Sequence, residues 1–176
     1  LPAHARAGAE GRWDRILPVG LFRTEARERL STTRRDDVDE ASGGAFAEVG
    51  LWPAPWLHAV AGARWDVYAF RVRSDDPRNS GDATAALASP KGSLVLGPWA
   101  RTELFVNGGL GFHSNDARGV TTRVDPSSQA PVEPVTPLVR TRGAEVGARS
   151  EIVPGVQTSL ALWVLDLDSE LLFTGD

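Results

Sequence analysis

His113, Asn115, Asp116 and Arg118, within the run HSNDARG, form the one cluster in this sequence that resembles a site. An imidazole and a carboxylate are donors for a metal or a metal-bearing ligand. The same types also do structural work, because Asp and Asn cap turns and Arg118 can pair with a neighbouring carboxylate. A second group, Glu103, Asn107, Glu145, Arg149, Glu151 and Glu170, is spaced along extended segments. It reads either as a surface that a solute slides past or as mixed charges that satisfy one another. Catalysis finds little support. There is no GxSxG elbow, HExxH or P-loop, and His4 and His58 have no acidic partner by sequence. Zero cysteines remove disulfides, thiolate metal sites and Cys nucleophiles together. No catalytic residue, metal site or cofactor is assigned.

The elements that must position these residues are long strands. In Trp99–Gly119, Thr102, Leu104, Val106, Gly108, Leu110 and Phe112 fall on one side of an extended chain, with Glu103, Asn107, Gly109, Gly111 and His113 on the other. Such length is unusual in a soluble domain and ordinary in a wall between lipid and a wet interior. Leu138–Val153 repeats the logic, with Glu145, Gly147, Arg149 and Glu151 opposite Ala144, Val146, Ala148 and Ile152. In the last strand Leu160, Leu162 and Val164 share a phase with Asp166, Asp168 and Glu170. Either a bulge resets the register near Leu165 or the strand has left the lipid by Asp166.

Composition narrows the classes. The 176 residues carry a net charge of -4, with 41% hydrophobic and 24% charged residues, as a soluble globular chain would. No basic stripe with interleaved aromatics exists, so nucleic acid is not a partner. No apolar run is long enough for a membrane helix, a test that barrel strands escape. Methionine is missing throughout, position 1 included, and Leu1 opens a polar stretch. The chain reads as an internal fragment of a longer protein.

Short turns alternate with long loops. Pro53-Ala54-Pro55, Gly97-Pro98 and Val153-Pro154-Gly155 close three hairpins, whereas Ser74–Ser89 and Ser114–Pro137 are long and rich in Asp, Ser, Asn, Gly and Pro. About six strands follow, near Gly44–Trp52, Trp56–Val72, Pro90–Gly97, Ala100–His113, Leu138–Val153 and Val156–Phe173. Trp52, Trp56 and Trp99 sit beside the short turns, and Tyr68, Phe70, Phe112 and Phe173 toward the opposite ends, as in two interface girdles. Trp65 and Trp163 fall mid-strand, outside that pattern. Residues 1–43 read as an extracellular loop region, with a short helix over Thr24–Leu30 or a strand remnant around Ile16–Phe22. Residues 44–176 read as a partial transmembrane β-barrel.

The segments SPKGSLVLGPW (Ser89–Trp99), TELFVNGGLGFHSNDARG (Thr102–Gly119), RGAEVGARSEIVPGVQTSLALWVLDLDSELLFTGD (Arg142–Asp176) and WLHAVAGARWDVYAF (Trp56–Phe70) resemble TonB-dependent outer-membrane receptors. The resemblance covers roughly residues 11 to 176. It implies an all-β, antiparallel up-and-down meander belonging to a barrel of about 22 strands with an N-terminal plug. The location it implies is the outer membrane of a Gram-negative bacterium. It implies import of a scarce ligand, such as a ferric siderophore, cobalamin or other metal chelate, driven by the TonB complex through the plug. Its partners are that ligand, outer-membrane lipid and TonB. On this reading His113, Asn115, Asp116 and Arg118 line the extracellular mouth. The six-residue polar group lines the lumen. The plug and TonB box are not in this sequence. The alternatives are a soluble antiparallel β-sheet binding module of lectin-like type and an outer-membrane hydrolase.

Overall fold

The computed structural model describes residues 1–169. Seven strands run as one antiparallel meander in sequence order: β1 (Ala3–Glu25), β2 (Glu28–Ala54), β3 (Leu57–Ser74), β4 (Gly81–Trp99), β5 (Thr102–Ser114), β6 (Leu138–Ser150) and β7 (Thr158–Leu167). Every strand bonds only its sequence neighbours, so β1 and β7 are the two open edges of a partial barrel. No helix among these residues is long and apolar enough to cross a membrane, a statement that says nothing of strands.

The stretch 1–43 is strand, not loop or helix: it forms β1 and more than half of β2. The physical cause lies in Ala26 and Arg27, whose φ angles of 46° and 71° make the left-handed pair that a two-residue hairpin turn requires. Glu25 therefore faces Glu28, and the TEARERL run folds back on itself rather than coiling. Ala100 and Arg101, at φ 47° and 59°, repeat the device between Trp99 and Thr102. The third of the expected strands also lengthens. β4 starts at Gly81, and the β3–β4 connection shrinks to a 3₁₀ turn at Pro77–Asn79. All three proline-marked turns close hairpins as expected, joining β2–β3, β4–β5 and β6–β7 at one end of the sheet.

The sheet is inside-out. On the outward face, Trp13, Val49, Trp65, Leu94, Val106, Val146, Leu160 and Leu162 are exposed. On the inward face, Glu48 is 7% and Asp66 2% exposed. A water-soluble sheet does the reverse, hiding its apolar face against another layer. The ladder of β6 and β7 stays in register through Arg142↔Asp166, so no bulge lies near Leu165. The outward face of β7 turns charged at Asp166 instead, and Asp166 and Asp168 bridge Arg142 at 2.8 and 3.0 Å.

A small apolar core forms at the loop end, where Val38, Phe70 and Val72 meet Ala117 and Leu138. Tyr68 joins it with its ring edge-on to Phe112 at 5.7 Å. The β4–β5 ladder reaches only Lys91↔Gly109 in that direction, and the small side chains of Ala83 and Ala85 pack into the same core.

Candidate inward-facing charge network and loop cavity

Charges on the inward face are organised by cross-strand register. Arg6, Glu48, Gly62 and Lys91 occupy one row of β1 to β4. Glu48 accepts from Arg6 Nε at 2.8 Å and from Lys91 Nζ at 2.5 Å. The Lys91 stem crosses over Gly62, where a Cβ would crowd both the Lys91 and Glu48 side chains. A second group ties Arg64 to Glu10 at 2.5 Å and to Asp66 at 2.6 Å. Gly44 leaves the space for it, since a Cβ there would overlap the Arg64 guanidinium and the Asp66 carboxylate. On β5 and β6, Glu103 faces Arg149 and accepts from its Nη2 at 3.0 Å, and Ser93 donates to Asn107 at 2.5 Å. The two buried carboxylates, Glu48 and Asp66, are thus each paired with a cation, as buried charges must be.

The β5–β6 connection folds back over the inward face. Its short helix α1 (Ala117–Thr121) buries Ala117, Val120 and Thr121. Asn79, 1% exposed on the β3–β4 turn, holds the segment that follows. Its Nδ2 donates to the Val124 carbonyl at 2.9 Å, and its Oδ1 accepts from the amides of Arg123 at 2.9 Å and Val124 at 3.0 Å. Thr121 Oγ1 donates to the Asn79 carbonyl at 2.9 Å. Arg78 adds a hydrogen bond to Gln129. One amide side chain thus satisfies groups that would otherwise be stranded in the interior.

Between the β1–β2 hairpin and this loop lies a cavity of about 480 Å³, lined in part by Arg34, Asp116, Arg118, Thr122, Asp125 and Glu133. Arg34 is 9% and Asp36 1% exposed. They bond at 2.6 Å, and Arg34 Nη1 donates to Thr122 Oγ1 at 2.7 Å, tying barrel wall to loop. Arg34 Nη2 and Asp36 Oδ1 have no protein partner. Burial pushes the Asp116 carboxyl up, but the Arg118 guanidinium and amide outweigh it and hold it below its ordinary value. Asp125 is also held low, by the Ser128 amide and hydroxyl and the Ser127 amide.

No family model matches the sequence, and no curated protein matches it. Among the solved structures that share the fold is the alcaligin outer-membrane receptor FauA from Bordetella pertussis, at 16% identity and a TM-score of 0.58. The superposition covers 92% of this chain and 30% of that receptor chain, so the chain spans under a third of its neighbour's length. The likeness is one of fold. The two proteins share a curved antiparallel meander.

Of the sequence-derived site residues, Asp116 and Arg118 come together in the cavity wall, while His113 and Asn115 do not line it. Asp116 caps α1 and pairs with Arg118 at 2.5 Å, and Asn115 Nδ2 braces the loop base by donating to the Thr136 carbonyl at 2.7 Å. His113 sits half-buried on β5 opposite Val139. Among the described residues no three His, Asp or Glu side chains gather as metal ligands. Arg149 pairs with Glu103 rather than Glu145, because the cross-strand neighbour is the nearer one. Glu151 lies beyond the end of β6, and its carboxylate accepts from the Gly155 amide at 3.1 Å, closing the turn. Glu170 and Phe173 lie outside the described residues. Sequence reasoning missed Arg34, Asp36 and Asn79. For the first two the signal was the alternation Arg34, Asp36, Val38, Glu40; for Asn79 there was none beyond its turn position.

Two outcomes follow from this geometry. Asn79→Ala in the intact protein leaves buried amides unpaired, at about 1–3 kcal/mol each. Hydrogen exchange across residues 119–133 is then expected to quicken at least about tenfold, with β2 and β3 unchanged. Because Asp116 and Asp125 are depressed, their contribution to loop order is fully present above the ordinary carboxylate range near pH ~4. It is lost only as pH falls through their lower folded values. A spin label at Ala130→Cys, in a chain without cysteine, is expected to stay immobile to below pH ~4 and then loosen.

Proposed function

We propose that this chain is part of the barrel wall of a TonB-dependent outer-membrane receptor that binds and imports a metal chelate of the siderophore or cobalamin type. The observation that carries the reading is the inverted sheet: apolar side chains face out, and paired charges face in. From Leu51 to Ala41 the outward side of β2 holds only Leu, Val, Ala and Gly. That stretch rises roughly 33 Å at about 3.3 Å per residue. A strand tilt near 45° brings it to roughly 23 Å along the membrane normal, the height of an outer-membrane apolar band. The three turns at one end face the periplasm, and the β1–β2 hairpin and the folded β5–β6 loop lie outside.

The remaining strands of a barrel of about 22 pair with the β1 and β7 edges. A plug packs against the inward charges, and TonB acts through it. Outer-membrane lipid covers the outward face. The likeness to a receptor for alcaligin supports the cargo class. The cavity beside Arg34, Asp116 and Arg118 supplies a place at the outer mouth where a polar ligand meets the wall. A soluble binding module of lectin-like type needs a second layer over the apolar face. That layer is absent among the described residues.

Uptake of a ferric chelate by cells making the intact protein tests the reading, with outward Val106→Arg and inward Asn107→Arg compared. Arg on the lipid side costs about 2 kcal/mol or more near the bilayer middle, and much less in the lumen. Folded protein and uptake are expected to fall together for Val106→Arg and to survive Asn107→Arg. Wild-type uptake is expected to stop when the proton-motive force is collapsed. Equal tolerance of both substitutions contradicts the wall, and uptake that ignores the proton-motive force contradicts the import mechanism.

A further inference from the structure

Mid-strand Trp163 faces inward, because it pairs directly with Glu145 in the row Ser93, Asn107, Glu145, Trp163 of β4 to β7. That placement holds whatever strand closes the β7 edge. The next row toward the loops is Lys91, Gly109, Gly143, Leu165. Both rows line one open groove of about 600 Å³, a size that suits a small ligand. Elsewhere on this face a glycine makes room for a neighbouring side chain: Phe46 fills the space over Gly8, His4 that over Gly50 and Phe105 that over Gly147. Gly143 makes room for none. Apart from its chain neighbours, the nearest atom to a Cβ there is Leu165 Cδ1 at 3.7 Å, an ordinary contact, so the wall itself does not require the gap. Gly109 beside it is different, since a Cβ there would lie 3.1 Å from both Lys91 Cβ and the Pro90 carbonyl.

We infer that this groove binds a sugar ring, its C–H face on Trp163 and its hydroxyls between Glu145 and Asn107. The inference rests on the reading above that the inward face meets water, and is separate from the metal-chelate cargo. Asn107 Oδ1 accepts from Ser93, which leaves the Nδ2 donors of that side chain for a ligand. Arg149 is spent on Glu103, and the Glu145 carboxylate, directly opposite Asn107, has no hydrogen-bond or ion-pair partner among the described residues. A donor and an acceptor therefore stand side by side. A hydroxyl both donates and accepts, so neighbouring hydroxyls on one ring satisfy the two together. Trp163, 72% exposed, supplies the flat apolar surface that the other face of such a ring needs. Charge favours a neutral occupant. Lys91 reaches away to Glu48, which Arg6 also pairs, leaving one surplus positive charge on that wall against the one negative charge of Glu145. An anionic metal chelate brings Glu145 only acceptor oxygens and charge of its own sign, and is not held there.

The test is saturation-transfer NMR on the intact protein, in a detergent whose headgroup is not a sugar. The probes are the methyl glycosides of glucose, galactose and mannose, with catechol as a flat dihydroxy ring that is not a sugar. At least one glycoside is expected to receive saturation at its ring C–H protons. Trp163→Ala, Glu145→Gln and Gly143→Leu, the last filling the gap from a position where a Cβ meets only ordinary contacts, are each expected to weaken its binding at least about tenfold. Trp163→Phe is expected to keep part of it, and Leu162→Ala, outward on the same strand, to change nothing. Folding of each variant is checked by heat-modifiable electrophoretic mobility. No transfer to any glycoside overturns the inference, as it would if another part of the protein fills the groove. Transfer that the three variants leave unchanged overturns it too, and so does a groove that takes catechol in place of the glycosides. These outcomes leave the membrane reading standing. Recovery of the protein from the aqueous phase without detergent refutes that reading instead.

Discussion

The features of this molecule depend on the antiparallel ladder that joins each strand from β1 to β7 to its sequence neighbours. In hydrocarbon no water is present to satisfy a backbone amide or carbonyl, so each must be paired within the protein. A meander whose strands bond their neighbours along long stretches meets that demand for the strands inside it. The ladder also fixes parity. Because side chains alternate with period two, one register shift would turn Glu48 and Asp66 to the outward face and Val49 and Trp65 to the inward one. The matched rows at Arg6–Glu48–Lys91 inside and Arg15–Asp39–Arg71–Asp82 outside hold that register from both faces.

Paired charges and absent side chains work together on the inward face. Gly44 and Gly62 sit where a Cβ would displace Arg64 or Lys91, so the glycines hold the space in which those cations reach Asp66 and Glu48. At the loop end, polar satisfaction is handed from the sheet to Asn79 and Arg34. These residues tie the β5–β6 loop back onto the wall through Val124 and Thr122. The loop is consequently a packed part of the inner surface, with Ala117 and Leu138 in the same core as Phe70 and Val72. The cavity beside it has walls drawn from both sheet and loop.

Much of this was legible in the residues. The two faces of β5 and the three proline-marked turns were readable, and of the two alternatives at Asp166 the register of β6 and β7 removes the bulge. Residues 1–43 were not, because Ala, Gly, Arg and Glu have weak strand propensity and the short hairpin turn Ala26–Arg27 looks like the middle of a helix. The signal was nonetheless there: Ala3, Ala5, Ala7, Ala9 and Trp13 share one phase, and His4, Arg6, Glu10 and Asp14 the other. Packing in the sheet overrode propensity. The upper half of β4 was hidden for the same reason, since Ala83, Ala85 and Ala86 resemble a small-residue loop. Ion-pair partners and the outward charge row were out of reach, because both depend on which residues of different strands share a row. Asn79 was invisible because its role is set by four contacts to a distant loop.

The central claim is that the apolar face of this sheet meets lipid and the charged face meets water. A nitroxide scan along β3 tests it most directly, since the chain contains no native cysteine. Single cysteines placed from Ala59 to Arg73 in the intact protein are labelled in bilayers, and collisions with oxygen and with a water-soluble nickel chelate are compared. The account predicts a strict period of two, with odd positions through Ala69 exposed to oxygen and even positions to nickel or shielded from both. It further predicts that the outward positions switch to nickel at Arg71 and Arg73. Nickel access on both faces, or an odd-numbered face that reaches water at Ala63 and Trp65, would contradict it.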